Sequence, residues 1–171
     1  MIGMEIGNVL SPPTEAVPPP ISASDTHPAT RPEKFVTFHL GEAVYAISAS
    51  MVAEVSQILP LTPLPGAKKC MLGLSPLRGE IVAKIDLRSM LGERPVNSGN
   101  PKAKEIILKR PAAGATPVAF AVDRLGEIAT LDIEQIRLLQ GNDFFIGEVR
   151  YNERSLKVVD HSKLLASIEP D

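Results

Sequence analysis

The side chains able to do chemistry are few, and their spacing keeps them apart. His27, His39 and His161 fall in a proline-rich stretch, in an alternating strand pattern and beside a C-terminal helix pattern, so no two share metal-ligand spacing. Cys70 is the single cysteine, which supplies at most one thiolate and no internal disulfide. Gly73, Leu74, Ser75 begins a nucleophile elbow, but Leu77 stands where its second glycine belongs. Ser75 therefore reads as a strand-end residue and Cys70 as a small apolar core residue. Asp132 and Glu134 read as a solvated helix start rather than an acid/base pair. None of the twelve glycines forms a Gly-x-Gly unit or precedes Lys and then Ser or Thr, so no phosphate-binding loop is expected. No catalytic residue, cofactor or metal follows from these residues.

Arg78 stands out because it adjoins Gly79 between two strand patterns. Its guanidinium can be shown to a partner as a bidentate donor, or it can stitch two parts of the fold together. Both readings are open from the residues alone.

The elements that must position it follow from periodicity. Phe35 to Leu40 alternates, Gly41 turns the chain, and Val44, Tyr45 and Ile47 continue a hairpin. Met51, Val52, Val55, Ile58 and Leu59 fall at helical spacing, which predicts a helix capped by Ser48 or Ser50 and stopped by Pro60, packed on the fold or facing a partner. Met71–Leu77 and Ile81–Leu87 predict strands around the Arg78 turn, with Ile81, Ala83 and Ile85 as core. Asp86 then caps a short helix that Gly92 ends.

Residues 93 to 103 are rich in Pro, Asn, Gly and Ser and connect two halves. Glu105–Lys109 and Pro117–Val122 predict strands. Asp132 with Gln135 resembles a capping box for a turn through Ile136 and Leu139. Phe145–Tyr151 and Leu156–Val159 predict a hairpin turning at Asn152 and Glu153, and Asp160 starts a helix ending near Ile168. The second half echoes the first: Ile85, Asp86, Ser89, Met90, Leu91 is answered by Val159, Asp160, Lys163, Leu164, Leu165. The strands are short and the turns frequent, which suggests two small barrels rather than a parallel sheet.

The totals give no general pull toward polyanions. The chain has 171 residues, is 44% hydrophobic and carries a formal charge of −2. Lys102, Lys104, Lys109 and Arg110 cluster without interleaved aromatics, so nucleic acid is not expected. A lone cysteine suits a reducing cytoplasm, and no apolar run nears the ~18 residues of a membrane span. Residues 1–33 hold seven of the sixteen prolines and little periodic apolar sequence, which predicts a disordered proline-rich tail.

The opening hairpin from Phe35, Val36, Thr37 and Phe38 through Tyr45, the signature from Leu77, Arg78, Gly79 and Glu80 to Ile85, Asp86, Leu87 and Arg88, and the run from Ala121, Val122 and Asp123 to Ile128 resemble the CheW-like family. That family comprises adaptors of bacterial chemosensory arrays. The resemblance covers about Phe35 to Leu165. It implies a mainly β fold of two intertwined five-stranded SH3-like barrels with short helices, in a domain over 34–168 (subdomains about 34–100 and 101–168) after the tail 1–33. It also implies a non-catalytic, cytoplasmic role without cofactor or metal, coupling methyl-accepting receptors to a CheA-type histidine kinase in chemotaxis or pilus-driven twitching motility.

Under that resemblance the kinase regulatory domain and the receptor cytoplasmic tip are the partners, and the groove between barrels takes the receptor. Arg78 and Gly79 map to the signature turn, Met51, Val52 and Val55 to a helix near the groove, and Lys84 beside the contact surface. Three positions depart from the family's usual residues: Pro76 stands for Asn, Ala83 for Pro, and Lys84 for an apolar residue. The competing expectation is a β module that binds a small molecule or peptide and regulates another process.

Overall fold

The computed structural model describes residues 30–94 and 99–168. A hairpin of β1 (Pro32–Leu40) and β2 (Ala43–Ser48) is followed by β3 (Val52–Ser56), β4 (Met71–Leu77), β5 (Glu80–Ile85) and α1 (Leu87–Leu91). The same order then repeats. A pair, β6 (Lys104–Leu108) and β7 (Val118–Val122), precedes β8 (Arg124–Asp132), β9 (Phe145–Tyr151), β10 (Arg154–Val159) and α2 (His161–Ile168). β1 starts at Pro32, inside the stretch read as the tail; residues 1–29 of that stretch lie outside the described residues.

The strands form two five-stranded sheets, ordered β8-β1-β2-β10-β9 and β3-β6-β7-β5-β4. Each half of the chain therefore lends its opening pair of strands to the three later strands of the other half, which is why the sheets are intertwined. Parallel pairing of β10 with β2 and of β5 with β7, and antiparallel pairing of β8 with β1 and of β3 with β6, make the joins. The duplication extends to fine detail. Gly73 opposes Lys84 and Gly147 opposes Val158, each beside a bulge at the same place in its hairpin. The Asp86 and Asp160 amides donate to Cys70 O and Phe144 O, both at 2.8 Å, and isolated bridges join Thr62 to Leu74 and Arg137 to Glu148.

Both aspartates cap helices as their spacing predicts. Asp86 Oδ1 accepts from the Ser89 amide at 3.1 Å, Asp160 Oδ1 accepts from Ser162 and Lys163, and Gly92 ends α1 at φ 75°. The largest apolar cluster lies between the sheets and takes Phe38, Tyr45 and Ile47 from one and Ile85, Leu108 and Phe120 from the other. Leu164 and Leu165 of α2 complete it. Phe38 sits 5.7 Å from both the Tyr45 and Phe120 rings. Such fully buried side chains contribute about 1.5–3 kcal/mol each, so the interface between barrels is itself the main core.

Three local expectations are corrected. The apolar spacing from Met51 to Leu59 builds no helix: Ala49–Met51 is one 3₁₀ turn, and β3 follows, paired antiparallel with β6. The β-branched Val52 and Val55 favour that extended backbone, and pairing with β6 outweighs a period shared by chance. The turn after Asp132 is only Ile133–Gln135, although Asp132 does accept from the Glu134 amide. Ile81 is 54% exposed while Val82, Ala83, Lys84 and Ile85 are all buried, because the inner strand β5 is packed on both faces beyond Ile81, with Ile85 in the central cluster and Val82 in a second one.

Arg88 of the signature meets Asp123 of the second half in an ion pair, and Asp123 Oδ2 also accepts from the Gly41 amide at 2.6 Å. Burial acts to raise the Asp123 pKa, but the Arg88 hydrogen bond and the Gly41 amide outweigh it and hold the carboxyl below its ordinary 3.8. A depressed carboxyl stabilises the fold above its unfolded pKa and loses that stabilisation as pH falls through the folded value. Urea titrations of Asp123→Asn should accordingly show weaker stability at neutral pH and a shallower decline below about pH 4. An unchanged pH profile would remove Asp123 from the acid response.

Candidate protein-binding site

An apolar cleft of about 640 Å³ opens where the two barrels meet. Leu64, Met71 and Leu74 form one wall, Pro111, Gly114, Ala115 and Thr116 of the β6–β7 loop another, and Leu165 and Ile168 of α2 the third, over a floor of Ala83 and Val118. Strand pairing fixes the floor, whereas the first wall comes from the irregular connection before β4. Leu64 is 43% exposed. Ile58 and Leu61 on the same connection are also exposed.

The Arg78 turn lies at the tip of the β4–β5 hairpin. Arg78 at φ 49° and Gly79 at φ 84° are successive left-handed residues, as a tight primed turn requires, and Asn152 at 47° with Glu153 at 62° match them in the other barrel. Arg78 Nη2 lies 3.2 Å from Glu54 Oε2 on β3, with the Arg78 side chain 80% exposed. Arg110 pairs with Glu80 beside it. Exposed pairs of this kind are worth about 0–1 kcal/mol, so Arg78 both stitches the hairpin to β3 and keeps most of its guanidinium open to solvent.

The sequence-predicted residues therefore divide. Arg78 and Gly79 share one turn, and Arg78 touches β3, the strand that carries Val52 and Val55. Val55 is exposed, Val52 packs against the central core, and Met51 is half-buried with its carbonyl accepting from the Lys109 amide at 2.8 Å. Lys84 departs from the group: it is 5% exposed, ion-paired to the fully buried Glu105, and donates to Leu59 O at 3.0 Å. No partner can reach its charge in this conformation. Ser75, read as a strand-end residue, is fully buried inside β4, and its Oγ has no hydrogen-bond partner among the described residues, so no Ser–His pair forms. Cys70 is half-buried in the turn before β4 rather than in a core.

Sequence reasoning missed Leu64, Ala115 and Ile168. Pro60, Pro63, Pro65 and Gly66 around Leu64 leave no period to read, and the one signal that could have found it is an apolar residue set among prolines in an irregular connection.

Comparison with known proteins settles the family. The model of the CheW-like domain matches residues 34–169. The chain belongs to the CheW-like family. Chemotaxis protein CheW of Klebsiella aerogenes is 30% identical over 143 residues, covering 80% of this chain and 84% of the relative. Chemotaxis protein CheW of Treponema pallidum is 28% identical over 151 residues, covering 82% and 88%. In fold, the chain is similar to the crystal structure of scaffolding protein TtCheW from Thermoanaerobacter tengcongensis, with a TM-score of 0.66 and 22% identity over 76% of this chain and 90% of that one. The CheW-like family role is that of a scaffold in chemotaxis signalling, coupling receptors to a histidine kinase. No helix among the described residues is long and apolar enough to cross a membrane.

Proposed function

We propose that this CheW-like chain is a non-catalytic cytoplasmic adaptor that takes the cytoplasmic tip of a methyl-accepting receptor in the cleft between its barrels and meets the regulatory domain of a CheA-type kinase at the Arg78 turn. The apolar cleft carries the reading. It is lined by small or aliphatic side chains and walled by α2, a shape suited to the apolar face of a helical hairpin. The Arg78 guanidinium supplies a directional donor on a separate face, which orients a second partner without much affinity of its own.

The two surfaces make separable predictions for calorimetry. Leu64→Glu places a charge on the cleft wall and should weaken binding of a receptor-tip fragment by about tenfold or more, with kinase-domain binding little changed. Arg78→Ala should show the opposite selectivity, weakening the kinase regulatory domain by about five- to tenfold. Retained receptor binding by Leu64→Glu would remove the cleft from the reading. Retained kinase binding by Arg78→Ala would leave that turn with its stitching role alone.

A further inference from the structure

The two barrels differ at one buried place, and the difference bears on the cleft. Strand registers align them: Lys84 lies opposite Ala119 and Glu105 opposite Ala121, as Val158 lies opposite Ala46 and Phe35 opposite Ser48. Where one barrel packs Phe35 and Val158 in an apolar cluster, the other buries a Lys–Glu ion pair. Burying two charges costs free energy that their attraction barely repays, and the first barrel demonstrates that an apolar pair suits the architecture. The pair adds one thing that Phe35 and Val158 cannot, which is the Lys84 Nζ bond to Leu59 O.

That bond matters because of the segment it reaches. In the first barrel the connection before β9 is anchored by side chains: Ile133 and Ile136 pack on one cluster, Leu139 and Phe144 on the central core. No residue of 57–70, the matching connection before β4, is buried or packs against a described core cluster. Polar bonds hold it instead, among them the Leu59 bond, the exposed Lys104–Gln57 bond and the Thr62–Leu74 bridge. The same segment supplies Leu64 to the cleft.

We infer that Lys84 and Glu105 form a buried latch that positions the 57–70 segment, and with it the Leu64 wall of the receptor cleft. Glu105 holds the ammonium inside the barrel, and the ammonium holds the Leu59 carbonyl. Lys84 and Glu105 are thus positioning residues for a surface they do not reach, and the consequence for affinity rests on the cleft reading above.

Amide hydrogen exchange on the full chain tests the latch directly, because the Arg137–Glu148 bridge is an internal control for the Thr62–Leu74 bridge. In Lys84→Met/Glu105→Leu, the Thr62 and Leu74 amides should exchange about tenfold faster or more while Arg137 and Glu148 stay within about twofold. Receptor-tip affinity should fall about fivefold in the same variant. Lys84→Met/Glu105→Gln, which also leaves no buried charge, removes the Leu59 bond and keeps the size at 105, should give the same selective rise at Thr62 and Leu74 and serves if the first double variant does not fold. Unchanged rates at Thr62 and Leu74, or an equal rise at all four amides, would overturn the latch. The cleft reading fails separately, if Leu64→Glu binds the receptor tip as the parent does. Faster exchange without any loss of affinity, in a protein whose Leu64→Glu variant does lose affinity, would overturn the latch as a determinant of binding.

Discussion

Lys84→Met alone is expected to lower the free energy of unfolding by about 3–5 kcal/mol, because it strands the Glu105 carboxylate inside a barrel. Glu105 is fully buried on β6, between β3 and β7, and its Oε2 has no hydrogen-bond partner among the described residues, so the ion pair with Lys84 is what offsets its desolvation. Removing the second charge as well should reverse most of the loss. Lys84→Met/Glu105→Leu is expected within about 1 kcal/mol of the parent, since neither desolvation penalty then remains and the matching place in the other barrel is apolar. Urea denaturation of both variants decides the matter. A double variant as unstable as the single one would mean that the loss comes from packing around Lys84 and not from an orphaned charge.

The same residue shows why part of this fold was legible in the sequence and part was not. Alternation, glycine turns and capping aspartates are local signals, and the opening hairpin, the β4–β5 and β9–β10 hairpins, β6, β7, the Asp86 and Asp160 caps and the doubled plan follow from them, whereas the spacing over β3 predicts a helix and that over β8 predicts no strand. The exchange of strand pairs between halves lies in no local signal, so subdomains cut near residue 100 describe the chain order, while each sheet draws strands from both sides of that point. Lys84 misled for a related reason. A lysine where the family has an apolar residue maps beside the contact surface, yet β5 lies between β4 and β7, and Lys84 is buried against Glu105 of β6, a strand from the other half of the chain. Arg78 was legible because a turn glycine exposes its neighbour. Leu64 was not, since a surface built by an irregular segment carries no period.

Gly73→Ala and Gly147→Ala should each destabilise the protein by about 3 kcal/mol, with Gly73 the worse of the two. A Cβ at Gly73 would lie 2.8 Å from the Thr62 carbonyl carbon and closer still to its oxygen; at Gly147 it would meet the Arg137 carbonyl in the same way. All three nearest atoms at Gly73 are backbone, and at Gly147 the Arg137 carbonyl would remain in the way even if the Ile136 side chain yielded. Gly73 also has φ 151°, at the edge of the range that disfavours a side chain, which adds strain that Gly147 lacks. Gly114 and Gly141 separate the two costs, being at φ 82° and 104° with open space around them. Their alanine variants should lose only about 1 kcal/mol. The comparison reaches beyond stability, because the close approach at Gly73 and Gly147 is what brings each preceding connection onto its hairpin. If Gly147→Ala proved as mild as Gly114→Ala, the Arg137–Glu148 bridge would not be tightly closed in solution. The correspondence between the two connections, on which the positioning of Leu64 depends, would then lose its structural basis.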